Sequence, residues 1–217
     1  MGAVDETLSR RLTAFLDFAR AQLPPAACVL EVGCGDGGLA RALANAGYSV
    51  TAIDPRAPEG PIFCRTRLED FSGGAAFDAV LASVSLHHVD DLDAAADKLR
   101  DLLRPGGLLI AEEFARERFS GATASWYLDQ LRTLGLEDSH DLDEWLRRWG
   151  EEHPDVHRFA DLKRALDQRF TERHFAWTPY LYDYRLGDAL EPLERELIAS
   201  GAIEATGVRY VGERRAE

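Results

Sequence analysis

A short apolar run followed by closely spaced glycines constrains the fold of this chain more than any other part of its sequence. Residues 28–32 read CVLEV, and Gly33, Gly35 and Gly38 follow with the spacing G-x-G-x-x-G before the segment LARALA. This order is typical of a buried strand, a tight turn and a helix, a unit whose backbone N–H groups can approach a ligand closely. The sequence therefore predicts an α/β fold with a ligand site at this turn.

The rest of the chain alternates apolar runs with amphipathic segments, the pattern of a parallel sheet covered by helices on both faces. An amphipathic segment over residues 5–23, ended by Pro24 and Pro25, predicts a helix before the first strand. Apolar runs predict seven strands, at residues 27–32, 49–54, 61–65, 77–83, 107–113, 170–177 and 204–213. We expect a single domain over residues 1–217, built around a doubly wound sheet.

The alternation stops between residues 116 and 168, where three short helical patterns follow one another and Asp141 can cap the second. Because residues 116–168 are too few to form a large core of their own, we expect a helical insertion within the domain. Both of its ends emerge near the carboxyl ends of the strands, where ligands bind in open parallel sheets. We predict that this insertion is a lid that orders over the site when ligands bind.

Charge and cysteine spacing narrow the class of partner. The 217 residues carry a formal net charge of −13, which disfavours attraction to nucleic-acid phosphates or to anionic membranes. The three cysteines have no C-x-x-C spacing, so neither a disulfide nor a zinc site is expected. The amino-terminal residues contain acids and no long apolar run, unlike a signal peptide. These features predict a cytoplasmic protein without a metal, nucleic-acid or membrane partner, and they leave its oligomeric state open.

Two carboxylates beside the glycine turn distinguish between cofactors, since the glycine spacing suits either a nicotinamide dinucleotide or S-adenosylmethionine. Glu31 lies two residues before Gly33, and Asp36 lies inside the turn. Unit charges ~4 Å apart interact by ~4 kcal/mol at an effective dielectric constant of about 20. These acids would therefore repel a pyrophosphate and attract an ammonium and a sulfonium. The sequence also has no Y-x-x-x-K pair for a short-chain reductase. The electrostatics favour S-adenosylmethionine.

Four segments resemble, in order and in spacing, the motifs of the class I S-adenosylmethionine-dependent methyltransferases. They read VLEVGCGDG, AIDP, FDAVLASVSLHHVDD and LLRPGGLLIAEE, and they cover roughly residues 25–115. The resemblance implies a Rossmann-like seven-stranded sheet, mostly parallel, whose last strand runs antiparallel between the fifth and the sixth. It also implies S-adenosyl-L-methionine as the cofactor and methyl transfer to an oxygen or nitrogen nucleophile of a small-molecule acceptor.

The same resemblance implies which residues hold the cofactor. They lie in the glycine turn or just after the second, third and fourth strands, and they are Glu31, Gly33, Cys34, Gly35, Asp54, Pro55, Leu68, Glu69, Ser83 and Val84. Asp54 would accept hydrogen bonds from both ribose hydroxyls, which agrees with the general role of an acid at that strand end. Glu31 would orient the methionine ammonium, and Cys34 would contribute only its backbone. Ser83 and Val84 would line the methyl end.

One position departs from the family pattern. Many relatives place an acid on the adenine amino group just after the third strand, whereas the segment RTRLEDF places Arg67 there. We expect the backbone of Leu68 or the side chain of Glu69 to make this contact instead.

The sequence identifies no catalytic residue. Methyl transfer depends mainly on positioning, and it needs a base only where the nucleophile is still protonated. In the family, paired histidines such as His87 and His88 commonly occupy the turn after the fourth strand, so the resemblance implies a structural role for them. His153 and His157 lie in the insertion and are expected at the surface. The segment SVSLHH lacks the N/D-P-P-Y/F motif of enzymes that methylate amide or base nitrogens, which argues against DNA as the substrate.

The acceptor side of the site is predicted from strand ends and from the insertion. The candidate contacts combine an acid with aromatic side chains, and they are Glu112, Trp126, Tyr180 and Tyr182. Such a pocket suits a small molecule better than a protein side chain. Two alternative functions stay open at this point: an NAD(P)-dependent oxidoreductase and a non-catalytic regulatory protein that binds the cofactor.

Overall fold

The computed structural model describes residues 8–74 and 76–215. Its strands are β1 (Cys28–Val32), β2 (Ser49–Ile53), β3 (Phe63–Cys64), β4 (Phe77–Ser83), β5 (Leu103–Phe114), β6 (Phe170–Thr178) and β7 (Gly207–Arg214). Its α-helices are α1 (Arg10–Arg20), α2 (Gly38–Asn45), α3 (Leu92–Leu102), α4 (Gly121–Thr133), α5 (Leu142–Glu152), α6 (Phe159–Arg169) and α7 (Glu191–Ala199). The first helix was predicted from residue 5, and residues 5–7 lie outside the described part of the chain. Within that part α1 begins after Ser9, whose hydroxyl accepts a hydrogen bond from the Leu12 N–H.

The seven strands form one sheet in the order β3-β2-β1-β4-β5-β7-β6. The pairs β1–β2, β1–β4, β2–β3 and β4–β5 are parallel, whereas β7 is antiparallel to both β5 and β6. Because β7 lies antiparallel between them, β6 runs in the same direction as β5. The arrangement confirms the predicted doubly wound sheet with an antiparallel last strand.

Three strands differ from the prediction by more than one residue at a boundary. β3 is shorter than residues 61–65 because this edge strand pairs with β2 only at Phe63 and Cys64. β5 begins earlier than residue 107, since Leu103 already pairs with Phe77. The register then shifts, and pairing resumes with Leu108 opposite Ala79. β7 begins at Gly207 and not at residue 204.

Alternate residues of the central strands point to opposite faces of the sheet, as the pleat requires. On one face, Val29 and Leu81 pack with α1 and α2. On the other, Leu30 and Val80 pack with α3 and α6. The strands are therefore buried on both faces, which explains why their sequences are continuous apolar runs.

The predicted insertion at residues 116–168 divides into two parts. Its last helix, α6, packs in the main core beside α3 through Leu162 and Leu166. The other two helices, α4 and α5, form a separate apolar cluster with the segment after β6, in which Tyr127 and Trp145 are buried. We call α4 and α5 the lid helices. No helix in the two described ranges is long and apolar enough to cross a membrane.

Candidate functional site

The glycine turn between β1 and α2 packs tightly against the end of β4. Gly33 and Gly35 have φ angles of +74° and +52°, in the left-handed region that favours glycine. A Cβ atom at Gly33 would lie 2.3 Å from the Cβ atom of Ser85, so no larger residue fits there. A Cβ atom at Gly35 would have no heavy atom within 4 Å, because this residue borders open space. The turn is therefore closed toward the sheet and open on its other side.

That open space is a cavity of about 720 Å³ at the carboxyl ends of β1, β2 and β4. Seven of the ten predicted cofactor residues line it, namely Gly33, Gly35, Asp54, Pro55, Leu68, Glu69 and Val84. Ser85, His88 and Val89 also line it, although the sequence did not assign them to the cofactor. The strand order explains the convergence, because neighbouring parallel strands end at the same edge of the sheet.

Asp54 follows β2, and backbone N–H groups hold its carboxylate in place. Oδ2 accepts a hydrogen bond from the Gly35 N–H at 3.2 Å, and Oδ1 accepts one from the Arg56 N–H at 2.7 Å. Each carboxylate oxygen has a second lone pair, which leaves both able to accept a hydrogen bond from a ligand hydroxyl. The carboxylate is thus oriented in advance at the cavity wall.

Glu31 carries a buried carboxyl group at the end of β1. The residue is 3 % exposed, and its Oε2 atom has no hydrogen-bond partner among the described residues. Burial raises the pKa of Glu31 to about 8, and the negative charges of Asp36 and Asp54 contribute to the rise. A buried polar atom without a partner is unfavourable, and a cation bound beside it would supply the missing interaction. The site therefore fits a ligand with a positively charged group near Glu31.

The segment after β3 forms the far wall of the cavity. Leu68 is buried and, together with Val89, gives this wall an apolar surface. The Arg67 guanidinium group pairs with Asp90 at 2.6 Å and with Glu69 at 3.5 Å. Arg67 therefore links this segment to the turn after β4, and it engages the carboxylate of Glu69, the side chain expected near the adenine.

Three of the ten predicted cofactor residues, Glu31, Cys34 and Ser83, are not among those that line the cavity. The Cys34 N–H donates to the Ile53 carbonyl at 3.1 Å, and burial raises the pKa of its thiol to about 12. The Ser83 hydroxyl accepts a hydrogen bond from Arg11 at 2.9 Å. The Cys34 N–H and the Ser83 hydroxyl are therefore engaged by other segments of the same chain. Periodicity and spacing in the sequence could not reveal these contacts.

The four candidate acceptor contacts also lie outside this cavity. Glu112 is buried and forms ion pairs with Arg11 and Arg209. Tyr182 is buried, and the Tyr180 ring is tilted against that of Phe114 with ring centroids 5.2 Å apart. Trp126 packs against the cluster formed by the lid helices. Val84, in the cavity wall, packs against the same cluster. Trp126 and Tyr180 therefore belong to the cluster that borders the cavity at Val84, whereas Glu112 is paired within the fold.

The two adjacent histidines of the turn after β4 have different surroundings. His87 is buried, and its Nδ1 lies 2.5 Å from Glu113 Oε2. Glu113 Oε1 accepts hydrogen bonds from the Ser85 and Leu86 N–H groups, so this carboxylate holds the turn together. His88 is exposed and faces the cavity. His87 thus has a structural role, as expected, whereas His88 is placed among the ligand-facing residues.

Comparisons with known proteins find similar methyltransferases. Residues 4–178 match the family described as a methyltransferase domain. An uncharacterized methyltransferase of Mycobacterium tuberculosis is 40% identical over 123 residues, covering 50% of this chain and 60% of the relative. A ubiquinone biosynthesis O-methyltransferase of Xanthomonas axonopodis is 34% identical over 167 residues, covering 65% of this chain and 70% of the relative. The chain thus spans 60% of the length of the mycobacterial relative.

A solved structure with the same fold carries two bound ligands. It is the 1,6-didemethyltoxoflavin-N1-methyltransferase of Burkholderia thailandensis, with 1,6-didemethyltoxoflavin and S-adenosylhomocysteine bound. The TM-score is 0.59 at 16% identity, and the match covers 96% of this chain and 80% of the other. At this identity the similarity is one of fold.

Proposed function

The chain belongs to the methyltransferase-domain family, and we propose that it transfers a methyl group from S-adenosyl-L-methionine to an oxygen or nitrogen nucleophile of a small-molecule acceptor. The observation that carries this proposal is the buried Glu31 carboxyl group, whose Oε2 atom lacks a partner among the described residues. It lies at the end of β1, next to the oriented carboxylate of Asp54. A cationic amino-acid group together with a ribose diol matches this pair of acids.

The residues of the cavity fit the parts of this cofactor. When bound, S-adenosyl-L-methionine supplies a methyl group on a positively charged sulfur, a carbon already activated for displacement. Glu31 would neutralise the ammonium of the methionine part, and Asp54 would accept hydrogen bonds from the ribose hydroxyls. Leu68 and Val89 offer the apolar surface that an adenine ring needs. The open side of Gly35 gives the ligand close access to the backbone.

The same charges argue against a nicotinamide dinucleotide. Glu31 lies at this turn with Asp36 and Asp54, and the charges of both aspartates raise the pKa of Glu31. A pyrophosphate placed at this turn would bring two more negative charges to three acids, and the Arg41 guanidinium group lowers the pKa of Glu31 by less than either aspartate raises it. We therefore do not retain the oxidoreductase alternative.

The relatives support a small acceptor. The printed names of two of them, a ubiquinone biosynthesis O-methyltransferase and a 1,6-didemethyltoxoflavin-N1-methyltransferase, refer to small-molecule substrates. We propose that the lid helices close over the acceptor, since Val84 joins the cavity wall to their aromatic cluster. Trp126 and Tyr180 would then lie on the acceptor side. Glu112 and Tyr182 are buried and would instead support the lid.

Calorimetric titration of the protein with S-adenosylhomocysteine tests the cofactor assignment. We expect saturable binding with a stoichiometry of one, accompanied by release of a proton because the cation favours the ionised form of Glu31. Titration with NADH is the matched control. Saturable binding of NADH without binding of S-adenosylhomocysteine would overturn the proposal. Absence of methyl transfer to any compound of a metabolite extract, despite cofactor binding, would favour the regulatory alternative.

A further inference from the structure

A second cavity of about 280 Å³ adjoins the cofactor cavity. His88 and Val89 line both, and the second cavity is completed by Asp90 and by residues 154–157. Its volume corresponds to about nine water molecules at ~30 Å³ each, which suits a molecule with one ring. Val89, Pro154 and Val156 give it apolar walls, and its other lining residues, His88, Asp90, Asp155 and His157, are polar. His88 therefore stands where a ligand of the second cavity would meet a ligand of the first.

The walls of the second cavity are held at a fixed distance by His157. Its backbone N–H donates to the His87 carbonyl at 2.9 Å, and its ring Nε2 lies 2.8 Å from the Val89 carbonyl. Because a carbonyl oxygen only accepts, this ring nitrogen carries the proton. Arg116 adds a hydrogen bond to the Val156 carbonyl at 2.6 Å. His157 was expected at the surface, but it is half-buried and clamps residues 154–157 to the turn after β4.

The imidazole of His88 is available to a ligand. Within the described residues, neither of its ring nitrogens has a hydrogen-bond partner. Its ring contacts that of His87, at a centroid distance of 4.2 Å, and the carboxylate of Glu113 fixes that neighbour. The ring is thus positioned from one side and open on the other, toward both cavities.

On this basis, and resting on the proposed methyltransferase function, we infer that His88 accepts the proton of a phenol-type hydroxyl on a one-ring acceptor bound in the second cavity. The O–H bond of the acceptor breaks, its proton binds to the free imidazole nitrogen, and the electron pair stays on the oxygen, which becomes the nucleophile. The exposed ring then returns the proton to solvent. A phenol is the suitable acid because its ordinary pKa, near ~10 as in tyrosine, lies within a few units of that of imidazole.

The surrounding charges suit this role. Partial burial of the ring and the adjacent His87 lower the pKa of His88, which favours the unprotonated ring before the acceptor binds. Glu113 and Asp155 act in the opposite direction and would stabilise the imidazolium once it forms, while His153 opposes it. Asp90 also faces this cavity, but its carboxylate is paired with Arg67.

The test uses the complex with S-adenosylhomocysteine and the probe 4-nitrophenol, whose visible absorbance reports its ionisation. The measurement is made at the pH where about a tenth of the free probe is ionised. We expect more than half of the bound probe to be ionised in the parent protein and about a tenth in His88→Gln. His174→Gln, an exposed histidine of β6 outside both cavities, is the matched control and should behave like the parent. In parallel, nitrogen NMR of the parent protein should show His88 becoming doubly protonated with 4-nitrophenol but not with 4-nitroanisole.

The outcomes separate this inference from the cofactor proposal. If S-adenosylhomocysteine does not bind, the proposed function itself fails. If it binds but 4-nitrophenol does not, the second cavity is not a phenol site and the inference is overturned. If the probe binds and its ionisation is equal in the parent and in His88→Gln, His88 is not the proton acceptor. A structural role for His88 would change affinity without changing the ionised fraction, and the NMR measurement needs no variant.

Discussion

The two adjoining cavities are built in different ways. The cofactor cavity is formed by strand ends and by the few residues that directly follow each strand, so every wall comes from a short, continuous motif. The second cavity joins the turn after β4 to residues 154–157, and the hydrogen bond from His157 to Val89 spans 68 positions of sequence. Its neighbour, the aromatic cluster, joins the lid helices to residues after β6. The cofactor side therefore follows from local sequence, whereas the acceptor side depends on long-range packing.

The largest effect is expected from a substitution in the lid helices, which tests whether the acceptor side can be disrupted without the cofactor side. Trp145 is buried among the lid helices, where its indole N–H donates to Glu137 at 3.0 Å and its ring packs near Phe119 and Tyr127. Replacement of a buried tryptophan by alanine costs ~3–5 kcal/mol. Trp145→Ala should therefore raise amide hydrogen exchange across residues 121–152 by more than about 100-fold. The affinity for S-adenosylhomocysteine should stay within about threefold.

Trp177→Ala, at an exposed position of β6, is the control and should leave exchange in the lid helices unchanged. In the parent protein, the cofactor product together with 4-nitrophenol should protect residues 121–152 from exchange. Equal protection with and without ligands would contradict the proposed lid. A large loss of cofactor affinity in Trp145→Ala would show that the two sides are not independent.

The next largest effect is a loss of cofactor affinity on substitution of Asp54. Asp54→Ala removes a carboxylate that the Gly35 and Arg56 N–H groups orient toward the cavity. Loss of charge-assisted hydrogen bonds costs ~1.5–3 kcal/mol, so the Kd for S-adenosylhomocysteine should rise roughly 10- to 100-fold by calorimetry. Asp161→Ala, in α6 and outside both cavities, should leave the Kd unchanged. A change of less than about threefold in Asp54→Ala would refute the ribose contact.

A smaller and pH-dependent effect is expected at Glu31. Because the pKa of Glu31 is raised to about 8 in the free protein, a bound ammonium must displace its proton below that pH. Affinity for S-adenosylhomocysteine should therefore increase as the pH rises toward 8, whereas Glu31→Gln should lack this dependence and bind about 5- to 10-fold more weakly at pH 8. Calorimetry in buffers of different ionisation enthalpy would detect the released proton. If the affinity of the parent protein did not change with pH, the assignment of Glu31 to the ammonium would be contradicted.

The raised pKa of Glu31 also predicts that the stability of the free protein changes with pH. The folded protein holds the Glu31 proton more tightly than the unfolded chain, in which the pKa is near the ordinary 4.5. The stability linked to this proton is therefore fully present below about pH 4.5 and is lost as the pH rises toward 8. Thermal unfolding of Glu31→Gln without ligand should be less sensitive to pH than unfolding of the parent across this range.

The smallest effect on cofactor affinity is expected at Arg67, the position that departs from the family pattern. Arg67 is half-exposed, and its ion pairs with Asp90 and Glu69 lie near solvent. Because solvent screens such pairs, Arg67→Gln should change the Kd for S-adenosylhomocysteine by less than about threefold. A loss as large as that of Asp54→Ala would mean that the guanidinium group itself contacts the ligand, and the adenine contact would have to be reassigned.

The sequence by itself determined the cofactor side of this protein. Apolar runs and glycine spacing predicted the strands and the turn, and the family resemblance named seven residues that meet in one cavity. This succeeded because backbone conformation at Gly33 and the pleat of each strand depend on neighbouring residues. Parallel strands then bring their carboxyl ends together without further information.

Only the tertiary structure decided which side chains stay available. Glu112 looked like a free acid at a strand end, but Arg11, 101 positions away, pairs with it. His87 and His88 are equivalent in sequence, and Glu113 engages one and leaves the other open to both cavities. The reason is that a side chain's partners across the fold depend on how distant segments pack, and residue type and spacing carry no record of that packing.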